Sequence, residues 1–241
     1  MTRVTVVCGV LLLVVAGGVW AEQIGGPSGP ADGQWKVGAE ANFRDDLEGV
    51  VREVGGTGSE PVRLSTHAFY GVLQYGICDR LSVRAKAGVG KVGIDATGSV
   101  PVVTDDLADF GYGLAWSAGL QYRICAPDER GASLALSGQF ARMKPDNFSL
   151  PGQDFTDAEF DEITAALTVG TTNGRTRPYA GIVWADRDFD LRVASDPWSF
   201  EQQRVGAVFG LDQTLCDTGW LNLEARVWGE TSFAASAGLS W

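Results

Sequence analysis

The stretch Phe233-Ala234-Ala235-Ser236-Ala237-Gly238-Leu239-Ser240-Trp241 ends the chain, and its alternation decides how the rest is read. Phe233, Ala235, Ala237, Leu239 and Trp241 fall on one face and Ala234, Ser236, Gly238 and Ser240 on the other, the two-residue period of a strand with one apolar side. A terminal strand of this kind, with an aromatic as its last residue, suits a closed sheet whose end must pair with its beginning and sit at a lipid boundary.

The opposite end agrees with that compartment. Arg3 precedes the apolar run Val4 to Val15, and Val19-Trp20-Ala21 offers a small-residue cleavage site, so residues 1–21 read as a secretory signal peptide. The run is shorter than the ~20 residues of a spanning helix. Cys8 lies within the apolar core of the signal rather than at its end, which argues against a lipoprotein anchor. The mature chain is expected to start at Glu22 and to keep three cysteines. Residues 22–33, rich in Gly and Pro without periodicity, read as a flexible periplasmic leader.

Between these ends the alternation recurs. Trp35 to Phe43, Leu64 to Ile77, a segment from Leu81, Phe110 to Ile124, Ala132 to Ala141, Glu162 to Thr171, Pro178 to Asp186, Arg204 to Leu215, Trp220 to Trp228 and the closing stretch make ten strands. Connections alternate between short turns and long stretches. Nineteen of the 30 acids lie in four of the latter, Asp45 to Pro61, Asp95 to Asp109, Asp146 to Asp161 and Asp186 to Glu201, which read as acidic outer loops. The formal charge of −11 becomes −12 once Arg3 leaves with the signal, and argues against nucleic acid and anionic headgroups as partners of the protein at large. No linker divides residues 34–241, so the expectation is one all-β, antiparallel up-and-down transmembrane barrel in the outer membrane, its lipid bilayer the first partner. A soluble lipocalin-like barrel would share the alternation, but Tyr, Trp, Phe and Leu on one face and Gly, Ala and Ser on the other suit large residues outside and small ones inside.

The chain resembles the small bacterial outer-membrane β-barrel superfamily that includes OmpA-like and opacity-type transmembrane barrels, through its signal peptide, the strand start Arg177-Pro178-Tyr179-Ala180-Gly181 and the terminal aromatic strand. Most small members have eight strands, which is the alternative count. The resemblance implies insertion by the barrel assembly machinery through the C-terminal strand, and it fixes no activity, because relatives serve as anchors, adhesins, channels and enzymes.

Candidate chemistry begins with the charges that alternation points inward: Lys36, Glu40, Arg84, Lys86, Arg123, Glu162, Arg204, Asp212, Glu224 and Arg226. They read as an ion-paired lumen network, with a narrow small-solute channel as the alternative, since open aqueous pores need about sixteen strands. The one histidine, His67, shares an outward face with Ser65 near Asp95, a weak hydrolase candidate that resembles the lipid-facing groups of lipid A deacylases, and Lys91 is its expected cross-strand neighbour. Strand parity points Cys78, Cys125 and Cys216 toward the lumen floor; the ends of the strands carrying Cys78 and Cys125 lie about 10 Å apart, beyond the ~7 Å reach of a disulfide. No metal site is expected there without a histidine, and no cofactor is expected. The acidic stretches offer carboxylates to Ca²⁺ or Mg²⁺ but lack the ligand spacing of an EF-hand loop, so a solvated rim is the expectation. The final hairpin is expected to turn through Gly229, Glu230 and Thr231, pairing Trp228 with Ser232 and Val227 with Phe233. The resulting role is structural or surface-interacting, through the acidic loops.

Overall fold

A computed structural model describes residues 23–27, 29–54, 59–96, 108–125, 131–150, 153–171, 174–193, 196–228 and 231–241; the expected signal peptide lies outside them. The strands are β1 (Trp35–Glu53), β2 (Ser59–Cys78), β3 (Leu81–Ala96), β4 (Ala108–Asp109), β5 (Gly111–Cys125), β6 (Ala132–Asp146), β7 (Phe148–Leu150), β8 (Gln153–Thr171), β9 (Thr176–Val193), β10 (Asp196–Thr214), β11 (Gly219–Val227) and β12 (Thr231–Ser240). Ten of them form a closed antiparallel ring, with short β4 pairing on β3 and β7 on β8. Closure is made by the organising stretch, which pairs with β1 from Lys36↔Ser240 to Asp45↔Thr231. Among the described residues each strand of the ring pairs on both sides along most of its length, which is the condition for burying a sheet in lipid.

The outward face carries the apolar residues. Leu114, Leu120, Ile182 and Val205 are each more than half exposed, as are Ile163 and Val169. A water-soluble protein does not expose apolar area in a continuous belt, and a lipid-facing wall must. On β9 the belt ends sharply: Ile182 and Trp184 face out, and Asp186, Asp188 and Asp190 continue the same face. The weak alternation of that segment in the sequence is the crossing from lipid to water.

Three of the four acidic stretches are largely strand and not loop, which corrects the sequence-based reading; most of the fourth, 97–107, lies outside the described residues. β1 runs on to Glu53, β2 begins at Ser59, β9 reaches Val193 and β10 starts at Asp196, so much of the acidic sequence is barrel wall above the membrane. The reason lies on the inner face, where acids outside alternate with Leu47, Val51, Phe155, Phe189, Leu191, Val193 and Phe200 inside. The β11–β12 hairpin is short, 9 and 10 residues against 19 in each of β1 and β10. Above its tip β1 and β10 pair directly, Val51 with Phe200 and Glu53 with Trp198, so the wall narrows from ten strands to eight. Eight strands leave room only for side chains, and Leu47, Leu64, Val92, Phe110, Phe155, Phe189 and Phe200, none more than 1% exposed, fill that room. Phe110 meets Phe155 and Phe189 edge-on, with centroids 6.4 and 6.2 Å apart. The close seam needs Gly49, because a Cβ there would lie 2.0 Å from the Phe200 ring.

Two local expectations also change. The last hairpin does have three residues between its strands, but they are 228–230, with Arg226 opposite Ser232 and Ala225 opposite Phe233. Its register is displaced by two residues from the expected one, which preserves which face each residue takes. Trp228, expected to face inward, is instead 73% exposed, with φ of 68° as it leaves β11. The cysteines depart from simple parity because the ladder slips between Gly76 and Cys78 and again between Arg123 and Cys125. Cys78 and Cys125 are exposed, Cys216 is half-buried, and none is in a disulfide.

The aromatic filling predicts its own cost. Phe189→Ala should lower the unfolding free energy by about 3–5 kcal/mol, read from urea unfolding in detergent micelles, whereas an unchanged midpoint would mean that the narrow upper barrel is filled by water.

Candidate functional site

The site is the wide, membrane-level half of the lumen. Its most conspicuous occupant is the leader, which does not lie free on the periplasmic side as the sequence suggested: Gln23 and Ile24 are buried inside the barrel. The leader fits because its backbone supplies the partners that inward charges need. Glu224 on β11 accepts hydrogen bonds from the Ile24 and Gly25 amides at 2.9 and 2.8 Å, and from the Tyr179 hydroxyl at 2.8 Å. Glu40 on β1 accepts from the Gln23 amide at 3.2 Å, from Asn42 at 2.9 Å and from the Lys86 ammonium at 2.7 Å. The cations complete the cradle, since Arg84 and Lys86 donate to the Gln23 carbonyl at 2.9 and 3.2 Å. Gln121 donates to the Gly26 carbonyl at 2.8 Å and Arg123 to that of Pro27 at 3.2 Å. Ser236, on the closing strand, bonds the Gln23 side chain.

A second centre sits higher, around Glu162 of β8. Its carboxylate takes Arg44 at 2.7 Å, Arg187 at 2.6 Å and Arg226 at 3.6 Å, and accepts from the Thr164 hydroxyl at 2.8 Å; the four charged side chains are almost wholly buried. Arg187 also donates to Gln202 at 2.9 Å, and Gln202 donates to the Glu48 carbonyl at 2.7 Å, tying β10 to β1 where their ladder is interrupted. Ions in a medium this dry persist only when paired and hydrogen-bonded on several sides, a condition the Glu162 carboxylate meets.

Of the other charges read as inward, Lys36 stands 5.8 Å over the Trp220 ring and Asp212 accepts from Asn222. Arg204 opposes Ala185 on the inward register yet is exposed. Arg44, Arg187, Tyr179 and Gln23 were missed. Continuing the alternation past Phe43 would have placed Arg44 inside, and that of Val183 and Ala185 would have placed Arg187 inside. His67 lies opposite Lys91, as its spacing implied, and packs edge-on against Phe43 with centroids 4.8 Å apart. Ser65 lies opposite Gly93, while Asp95 takes the rung opposite Arg63, one same-face step further out.

The acids of the upper wall make an external surface. Asp161, Asp188 and Glu201 share one rung across β8, β9 and β10, with like charges directly opposed. On the β6 side Arg142 grips Asp161 in a fork at 2.8 and 2.6 Å, and Lys144 holds Glu159 at 2.6 Å. Partial burial, and then the neighbours Asp186 and Glu201, push the Asp188 carboxyl above its ordinary range. Burial, Glu159 and Asp161 do the same to Asp190. Among the described residues no group of three or more His, Cys, Asp or Glu is placed to hold a metal ion.

No family model and no curated protein sequence matches the chain. Solved structures do. The β domain of the Bordetella autotransporter BrkA superposes with a TM-score of 0.51 at 12% identity, over 88% of this chain and 99% of that one. The outer membrane protein OprG from Pseudomonas aeruginosa gives 0.47 at 10% identity, over 88% and 97%. Ail, the attachment invasion locus protein of Yersinia pestis, gives 0.40 at 9% identity, over 87% and 99%. The likeness is one of fold: this chain is a closed antiparallel β-barrel with an apolar belt on its outer face.

Two outcomes follow from the charges. Glu162→Gln keeps the shape but removes the negative charge that Arg44 and Arg187 face most closely, while Arg226 keeps Glu224, so it should destabilise the barrel by about 3–5 kcal/mol in urea unfolding, and a shift of a few tenths would mean the cluster is hydrated. A raised carboxyl pKa means the folded state holds its proton to higher pH than the unfolded chain, so stability falls as pH rises through the Asp188 and Asp190 titrations. Asp188→Asn should therefore raise the thermal midpoint at pH 7 and lose that advantage on acidification below the ordinary carboxylate range. An advantage that persisted in acid would exclude charge repulsion as its cause.

Proposed function

We propose that this barrel is a membrane anchor that presents a rigid acidic surface outside the cell, and that it does not conduct solutes. The observation that carries this reading is closure at two levels by different chemistry. The leader and its polar cradle occupy the membrane-level lumen, and the aromatic core occupies the eight-stranded extension above it. What faces outward beyond the lipid is a wall of carboxylates on β8, β9 and β10, fixed in place by strand pairing rather than carried on loops. Fixed charges in regular rows favour a basic partner surface and on-rates that depend on salt. Divalent cations would screen the same rows, and the last strand, ending Leu239-Ser240-Trp241, is the segment the barrel assembly machinery would engage.

Binding is the decisive test. Cells displaying the protein should adhere to polylysine-coated surfaces, and the triple replacement Asp161→Asn, Asp188→Asn, Glu201→Asn should abolish the gain without altering display. Adhesion unaffected by the triple change would refute the surface role. In planar bilayers the mature protein should give no steady conductance steps. Deleting residues 22–30 should leave that silence intact, because the aromatic core still seals the outer end, and conduction should appear only when Phe155→Ala, Phe189→Ala and Phe200→Ala are added. Large steps from the unaltered protein would favour the channel instead.

A further inference from the structure

We propose that the wall of the barrel holds a binding site for the phosphate head of an outer-leaflet lipid, centred on Arg204. The site arises from the short β11–β12 hairpin. β10 keeps its ladder with β9 throughout this region, but on its other side the pairing with β11 stops at Ala207↔Val227 and the pairing with β1 resumes only at Phe200↔Val51. Between those rungs the wall opens into a small recess lined by Arg187, Arg204, Gly206, Arg226, Val227 and Trp228 among others. Its lower edge is a close backbone crossing, since a Cβ on Gly206 would lie 2.6 Å from the Trp228 carbonyl oxygen.

The mouth of this recess is basic. Behind it, the guanidinium groups of Arg44, Arg187 and Arg226 pair with the carboxylates of Glu162 and Glu224. Arg204 adds another positive charge at the mouth, and it makes no ion pair among the described residues. Arginine is the side chain best matched to a phosphate, through its planar fork of donors. A single anionic group beside Arg204 would give that guanidinium a partner.

Two features select a lipid head over a free ion. The first is depth: on the outer surface Trp184 and Val205 share the last apolar rung, and Asp186 and Gln203 share the first polar one, so Arg204 lies at the boundary between belt and water. Lipid phosphates lie at that boundary, where basic pockets recognise them. The second is the flank. Trp228 is 73% exposed and Val205 63%, an apolar surface beside the mouth against which an acyl chain can lie. The acidic rung of Asp161, Asp188 and Glu201 would repel a phosphate elsewhere on this side, so the opening concentrates the attraction at one point.

The test is native mass spectrometry of the mature protein released from neutral detergent, with three probes: a dioleoyl phosphatidic acid, a phosphatidylcholine of the same chains, and inorganic phosphate. One phosphatidic acid should stay bound per barrel, phosphatidylcholine should not, and inorganic phosphate at equal concentration should not displace the lipid. Arg204→Ala should weaken retention about tenfold, the loss of one charge-assisted hydrogen bond. Arg204→Lys should weaken it less, and Arg192→Ala, on the exposed face of β9, should leave it unchanged. Because Arg204 is exposed the variants should fold, which the faster migration of unboiled samples in SDS verifies for each. Equal retention by Arg204→Ala and the unaltered protein overturns the site. Equal retention of phosphatidylcholine overturns its anion selectivity, and displacement by inorganic phosphate overturns the lipid in favour of a free-anion site.

Discussion

Everything in this molecule depends on how a ten-stranded ring is filled. Such a ring is too narrow for an open aqueous channel, while a wall rich in Gly, Ala and Ser does not reach across it unaided. Polar groups left facing that space would be desolvated without partners, at a cost that grows with each charge. The chain solves this by turning its own N-terminal segment back into the barrel, where six backbone amides and carbonyls between Gln23 and Pro27 meet Glu40, Glu224, Arg84, Lys86, Gln121 and Arg123. Gln23 to Pro27 thereby becomes part of the core, although nothing in its composition distinguishes it from a flexible tail.

The upper barrel solves the same problem by the opposite route. Ending β11 and β12 early removes two strands from the circumference, and β1 and β10 meet across the gap. The smaller ring can be spanned by phenylalanines, so no water or charge is needed inside it. One short hairpin thus produces two effects: a dry, rigid extension above the membrane and an interruption in the wall below the point where the ring closes again. Gly49 against Phe200 and Gly206 against the end of β11 mark the two ends of that interruption, each a place where a side chain would separate the strands.

The ring was legible in the sequence because period-two alternation is a local signal that survives in every membrane-level strand, and the alternating outward residues of β5, Tyr112 through Tyr122, carry it without a break. The upward extensions were hidden by composition. In Asp186-Arg187-Asp188-Phe189-Asp190-Leu191 the alternation is as regular as anywhere, but acids on the outer face make the segment look like a loop when charge is counted and parity is not. The cysteines went astray for a related reason: parity was carried through two ladder slips that no residue type announces. The leader's place was illegible in principle, since its partners lie up to 213 residues away and hold mostly backbone groups that every segment possesses. The site was readable to the extent that it is made of strand parity, which found Glu162, Glu224 and Arg226, and unreadable where it depends on what enters the lumen.

The net charge of −11 conceals a segregation that explains the behaviour of both surfaces. Acids in excess lie outside, on the upper wall, where solvent screens them and where partial burial, and then neighbouring carboxylates, still hold Asp188 and Asp190 back from ionising. Cations gather inside, where carboxylates and leader carbonyls face them at hydrogen-bond distance. Reversing this arrangement would put unpaired carboxylates in the dry lumen and guanidinium groups on the rim, and the leader could then offer only its few amides as donors. A backbone segment supplies carbonyl acceptors at every residue but no amide at proline, so a leader carrying Pro27 and Pro30 is better suited to a cationic lumen than to an anionic one. The sign of the interior and the composition of the leader are therefore two sides of one fit.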